Sequence, residues 1–215
     1  MRRLRFFIDE SYEPCGDKCA HRVFAGVVIE ANRQSVIDSL VAAERRSGKG
    51  LRDWHKTDRR AREYYLSLVL DISDVDIFYT AYDRLHSSAC FGARADVLAA
   101  AIRRFSPGDC HHMVLPEGLK GAPRRQLLNM LIGAGCSRVT VESVDFFQNP
   151  EVRLADAMAG MIRAEIYRGG NRAPLTNIPE RFVDLEDEKR NPPKAEASEG
   201  QKAENALLST FPRTE

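Results

Sequence analysis

The chain has 215 residues, of which 43% are hydrophobic and 29% charged, with a formal net charge of +1. That mix excludes a chain too small for its own core, and it carries no overall field that would announce a nucleic-acid partner. No apolar run approaches the ~20 residues needed to cross a bilayer, so no membrane partner is expected.

The five cysteines are an odd number. The amino-terminal MRRLRFFIDES is too short in its apolar part for a signal peptide and ends in acids. Both observations predict free thiols in a reducing, cytoplasmic setting.

Leu4–Ile8 predicts a strand that is apolar on both faces and therefore central. It delivers Asp9, Glu10 and Ser11 at its C-terminal end, with Asp9 on the face of Phe7 and Glu10 on that of Ile8. Tyr12–Gly16 reads as a turn or loop, and Val23–Ile29 as an antiparallel second strand. Arg33–Arg46 is patterned as a helix, with Val36, Ile37, Leu40, Val41 and Ala43 along its apolar stripe. A polar stretch over 47–56 leads into a charged helix from Asp58 to Leu70. Next come a strand at Val75–Tyr82, a helix at Ala93–Phe105 and a short strand at His112–Leu115 that ends in Pro116-Glu117-Gly118. Pro123–Ile132 is another helix and Arg138–Val141 a last strand. Antiparallel strands followed by alternating strands and helices predict a mixed α/β sheet with helices on both faces.

The most informative stretch follows, Val152–Tyr167. Asn149 is a good N-cap, Pro150 suits the first helical position and Glu151 favours the positive end of the dipole. Ala155, Met158, Ala159, Ile162 and Ile166 recur at helical spacing. Ala155, Ala159 and Gly160 predict close approach to a neighbouring sheet. Asp156 lies nearly two turns inside, where neither capping nor the macrodipole accounts for it. A carboxylate carried into such a contact must be paired, hydrogen-bonded or metal-bound. The alternative is an exposed Asp156 partnered by Arg153 or Arg163. Beyond a domain over 1–183, the charged segment 184–215 reads as a disordered tail, with Ala206–Phe211 either a protein-docking segment or a frayed end.

The opening Asp9-Glu10-Ser11 and the late Leu154-Ala155-Asp156-Ala157-Met158-Ala159-Gly160 together resemble the bacterial family named domain of unknown function 3800. That resemblance covers roughly residues 4 to 168 and implies a ribonuclease H-like fold. It places Asp145 as the acid before the last helix, Glu117 as the acid after the middle strand, and Asp53 with His55 or Lys56 as a short acidic-then-basic motif. Tyr12 and Arg153 depart from the family pattern, which has Gly and Gln there, and Pro116-Glu117 is a thin version of the middle motif.

The chemistry implied is phosphodiester hydrolysis with Mg²⁺ or Mn²⁺, which needs converging carboxylates. Asp9, Glu117 and Asp156 are the expected metal ligands, with Glu10 and Asp145 as further members. Lys56 or His55 would orient the phosphate or shuttle a proton. Arg45, Arg46, Lys49, Arg52, Lys56, Arg59, Arg60 and Arg62 form a basic run around Trp54. Lys120, Arg124 and Arg125 form a second cluster beside Glu117. Both suit DNA or RNA, with Trp54 available for base stacking, although a solvated helix face and a core Trp54 explain the first run equally.

A non-catalytic nucleic-acid-binding or protein-interaction module, as in a defence or toxin–antitoxin system, is the alternative. A metal-dependent phosphatase or nucleotide hydrolase is a second. Cys15, Cys19 and His21 with Cys110, His111 and His112 offer a weaker zinc set, for which free thiols in loops are the plainer reading. Nothing in the patterning fixes an oligomeric state.

Overall fold

The computed structural model describes residues 2–106, 110–167 and 182–186. Its centre is β1 (Arg2–Gly16), paired antiparallel with β2 (Cys19–Glu30), which pairs antiparallel with β3 (Asp76–His86). On the other side of β1 lies parallel β4 (Cys110–Pro116), then parallel β5 (Val139–Val141). A sixth strand, β6 (Phe182–Asp184), pairs parallel with β3 and completes the order β5-β4-β1-β2-β3-β6. The mixed sheet is therefore as expected, with β6 as an unexpected addition. β6 includes Asp184, where the tail was expected to begin; residues 187–215 lie outside the described set.

The alternation of β1 divides the core in two. Phe7 faces α1 (Gln34–Ser47), α2 (Arg59–Val69) and α5 (Pro150–Ile166), packing with Val27, Leu40, Tyr65 and Ile162. Leu4, Phe6 and Ile8 face α3 (Cys90–Phe105) and α4 (Gly121–Gly133), packing with Leu98, Ile102, Leu127 and Leu131. A strand sealed on both faces must be central, and β1 is the third of six.

The turn expected at Tyr12–Gly16 is instead strand. The chain reverses only at Asp17 and Lys18, with Lys18 left-handed at φ 59°. Pro14 and Gly16 mark a bulge in the β1–β2 register rather than a loop. Pro14 is tolerated because β4 pairs with β1 only as far as Ile8, so that from Asp9 onward the β4 side of β1 is an edge. This stagger positions the site. Asp9 is the first residue of β1 that β4 no longer covers.

Among the described residues no helix is long and apolar enough to cross a membrane. All five cysteines are free. The proposed zinc groups do not meet. Cys15, Cys19 and His21 lie around the β1–β2 hairpin turn, whereas Cys110 pairs with Arg2 at the far end of β1. The 15 residues of β1 put roughly 40 Å between them.

Candidate active site

Three parallel strands and one helix build the site. Past Ile8, β1 presents Asp9 on the α5 side. β4 ends at Pro116, and Glu117 continues its ladder through a bridge to Val144, with the Gly118 N–H donating to the Val144 carbonyl at 3.2 Å. Glu117 and Asp145 thereby leave adjacent strands at the same edge of the sheet. α5 then crosses the sheet over β1 and β2, and its second turn brings Asp156 to Asp9. Outside the carboxyl ends of parallel strands, backbone ladders stop and side chains from several elements can converge.

Burial and mutual charge mark the convergence. The Asp9 carboxyl is pushed up to about 7, first by burial, then by the charges of Asp156 and Glu117. A hydrogen bond from the Glu10 N–H (2.8 Å) and the charge of Arg94 offset this only in part. Asp156 is also raised, mainly by burial and additionally by Asp53. The Trp54 N–H, donating to Asp156 Oδ2 at 2.7 Å, and nearby Lys49 and His55 act against that. Glu117 is raised by partial enclosure of its carboxyl and by Asp156, Asp53 and Asp145. Five acids from five segments thus sense one another.

The bland alternative for Asp156 does not hold, because both arginines are engaged elsewhere. Arg163 bonds Ser11 at 2.9 Å and Glu13 at 3.1 Å. Arg153 is 2% exposed and grips Glu44 with two bonds of 2.7 and 2.8 Å. Its remaining nitrogen donates to the carbonyls of Phe146 (2.7 Å) and Phe147 (2.8 Å). Arg153 therefore fastens α1 and the loop after Asp145 onto α5.

The other expected residues are distributed more widely. Glu10 falls on the opposite face, as alternation predicts, and pairs with Arg22 at 3.1 Å and Arg94 at 3.3 Å. Lys56 pairs with Asp53 on the 3-10 turn Trp54–Lys56, and His55 is exposed beside Asp156. Lys49, counted with the surface basic run, is instead wholly buried. Its ammonium donates to the Arg52 carbonyl at 3.0 Å, lies 3.9 Å from Glu44 and sits over the Tyr65 ring.

Trp54 is 7% exposed, with Arg62 over its ring and Gly160 against it, so the base-stacking role is replaced by a packing one. Gly160 approaches that tryptophan rather than the sheet. A Cβ there would collide with the indole, whose own backbone N–H holds Asp156. Gly160→Ala is expected to displace Trp54 and cost about 1–3 kcal/mol, read as a lowered midpoint in urea unfolding together with a shifted tryptophan emission.

Lys49, Glu44 and Arg94 were not anticipated as site residues. Glu44 had a signal, since it follows Val36 and Leu40 at four-residue spacing on the buried stripe of α1, where a carboxylate calls for a partner as much as Asp156 does. Arg94 had none, because its reach to Glu10 depends on how α3 crosses the sheet.

Chemically, the donor set is all carboxylate oxygen, which suits a hard divalent cation, and added positive charge would relieve the raised Asp9. Among the described residues, however, no three such side chains stand close enough together to hold an ion as they are placed. The raised acids also set a pH dependence. In the unfolded chain Asp9 titrates near its ordinary value of 3.8, and in the folded metal-free protein near 7. Between those values the folded state holds the extra proton, so stability is highest at the acidic end of the window and falls as pH rises to about 7. Melting temperatures in EDTA from pH 4.5 to 8 are expected to fall accordingly, by the equivalent of up to about 3 kcal/mol. Asp9→Asn should flatten that slope.

The whole-chain topology has a counterpart among solved structures. The ribonuclease H2 of Pyrococcus horikoshii OT3 aligns over 97% of this chain and 90% of its own, with a TM-score of 0.54 at 15% identity. The fold is ribonuclease H-like. The ribonuclease HII of Archaeoglobus fulgidus, solved in complex with PCNA, aligns over 97% and 91% with a TM-score of 0.46 at 15% identity. Bst-RNase HIII, solved with Mn²⁺, aligns over 78% and 55% with a TM-score of 0.44 at 10% identity. No family model matches the chain, and no curated protein matches it significantly. At these identities the ribonuclease H-like likeness concerns the fold, and the chemistry has to be argued from the residues.

Proposed function

We propose that this chain is a Mg²⁺- or Mn²⁺-dependent nuclease, and that its Asp-Glu-Ser and Leu-Ala-Asp motifs place it with the domain of unknown function 3800 family. The observation that carries this reading is the burial of Asp9, on the central strand, against Asp156, on the last long helix, with Glu117 completing a repelling group. Evolution has little structural reason to gather acids this way, since each raises the others' cost of ionisation. A ligand of opposite charge supplies a reason.

In this reading Asp9, Glu117 and Asp156 would hold the ions, with Asp145 beside them. Glu117 and Asp145 are exposed and would complete the set from its rim. Glu10 would join only by leaving Arg22 and Arg94, which makes it the outermost acid. When bound, such ions activate water and stabilise charge on a phosphoryl group. The chain's own contribution is to fix the carboxylates, through the Trp54 N–H on Asp156 and the Glu10 N–H on Asp9. His55 and Lys56 stand at the mouth of the site, placed to orient a phosphate or carry a proton.

The test is a panel of end-labelled DNA and RNA, single- and double-stranded, incubated with the protein in Mn²⁺, Mg²⁺ or EDTA. Cleavage that appears with the metals and vanishes with EDTA is the expected result. Binding that is indifferent to EDTA, with no cleavage, would sink the reading in favour of a non-catalytic module. Turnover of mononucleotides with every long strand left intact would sink it in favour of a phosphatase.

A further inference from the structure

Beside the acids lies a pocket of about 370 Å³, lined by Glu117, Lys120, Ser143, Asp145 and Phe147. Its size suits a small ligand group of the order of one nucleotide. Phe147 is 64% exposed, the most exposed large hydrophobic residue among those described. A large aromatic left in water is ordinarily placed on a loose loop, but this one is held on both sides. Its N–H donates to Asp145 Oδ1 at 2.8 Å, and its carbonyl receives the buried Arg153 at 2.8 Å. Phe146, turned inward and 6% exposed, meets the Phe147 ring edge to face at 5.6 Å between centroids. The Asn149 side chain donates to the Asp145 carbonyl at 2.8 Å and closes the loop. The ring is thus presented by a rigid backbone, beside two of the acids, with a flat face to offer.

The same pocket carries complementary charge. Lys120 lies in the pocket at the start of α4 and makes no ion pair with any described residue. Arg124 and Arg125 follow it on the exposed side of the same helix. An aromatic ring on a fixed backbone and an exposed cation lining one pocket of nucleotide size match a base and its phosphate, with the base free of any pairing partner.

Resting on the nuclease reading above, we propose that this pocket holds one unpaired nucleotide of the substrate strand, its base stacked on Phe147 and its phosphate on Lys120, so that the protein selects single-stranded nucleic acid. A fully paired base would have to leave its helix to reach the ring, at an unstacking cost that a single strand does not carry. Glu117 and Asp145 would then face the sugar–phosphate link next to the stacked base.

The experiment measures binding separately from hydrolysis. Fluorescence anisotropy of labelled 12-nucleotide single strands, and of the corresponding duplexes, is followed in EDTA with wild type, Phe147→Ala, Phe147→Leu, Phe147→Tyr and Lys120→Gln. Phe147→Ala is expected to weaken single-strand binding about 5- to 100-fold with duplex binding unchanged. Phe147→Tyr should retain wild-type affinity, and Phe147→Leu should lose it, because area without a π-face does not stack. Lys120→Gln should lower the slope of log affinity against log salt by about 0.7. Single-strand affinity unchanged in Phe147→Ala, or fully kept in Phe147→Leu, overturns the proposal. So does a wild type that binds duplex as tightly as single strand. The two readings fail separately. A protein that cleaves nothing but shows this dependence on Phe147 refutes the nuclease alone, and one that cleaves with Phe147 immaterial refutes the pocket alone.

Discussion

Asp156→Asn and Asp9→Asn are each expected to abolish Mn²⁺ binding in calorimetric titration and to reduce metal-dependent hydrolysis by a factor of 10³ or more, on the order expected when a metal-site acid is lost. The fold should survive both changes. Asparagine keeps the volume of the side chain, can still accept the Trp54 or Glu10 N–H, and removes a charge that the metal-free protein holds at a cost. Stability in EDTA at pH 8 should therefore be equal to or above that of wild type, the reverse of what loss of a structural ion pair would give. This opposite movement of activity and stability separates a ligand-binding acid from a structural one. If both variants unfolded earlier than wild type while still binding Mn²⁺, the acids would be structural and the metal elsewhere. Loss of binding in one variant only would remove the other residue from the site.

The second large effect concerns Arg153. Its guanidinium is the centre of a buried set in which Glu44 lies between Arg153 and Lys49, at 2.7 and 3.9 Å respectively. Arg153→Met keeps much of the aliphatic volume but leaves the Glu44 carboxylate with only the longer Lys49 contact. It also leaves the carbonyls of Phe146 and Phe147 without their donor. Stranding a buried charge in this way costs about 3–5 kcal/mol, and for a domain of this length that corresponds to a melting temperature lower by roughly 10 °C. Adding Glu44→Leu together with Lys49→Met should recover part of the loss, since neither charge of the buried set is then left stranded. A single Arg153→Met variant melting within about 2 °C of wild type would show that water reaches the network and that it is not a clamp.

The sequence was most legible where a residue contradicts its own surroundings. Asp156 in an apolar helix and Asp9 after the apolar run of β1 each stand against the pattern around them, and the structure brings the two together. Lys49 was hidden for the converse reason. It lies in a run of basic residues, where one more cation looks solvated, and only the crossing of α1, α2 and α5 encloses it. The extent of β1 was misjudged because Pro14 and Gly16 have turn chemistry. Their tolerance within a strand depends on β4 stopping at Ile8, a fact of the neighbouring strand rather than of the segment itself. The three residues of β6 are too few to show any period, and they gain their conformation from β3.

The stagger between β1 and β4 has a consequence for biosynthesis. The β1–β2 hairpin is local and can close early, with Asp9 alone at its open edge. Pro116 and Glu117 arrive only after three helices have been made, and Asp156 arrives later still, within the last long helix. A nascent chain interrupted anywhere before α5 therefore carries the opening acid without Asp156, its strongest counterpart. The electrostatic tension and the reactive assembly are switched on together, at the docking of a single late element. If the proposed nuclease reading holds, truncated translation products would be chemically silent, and activity would appear only once α5 has docked.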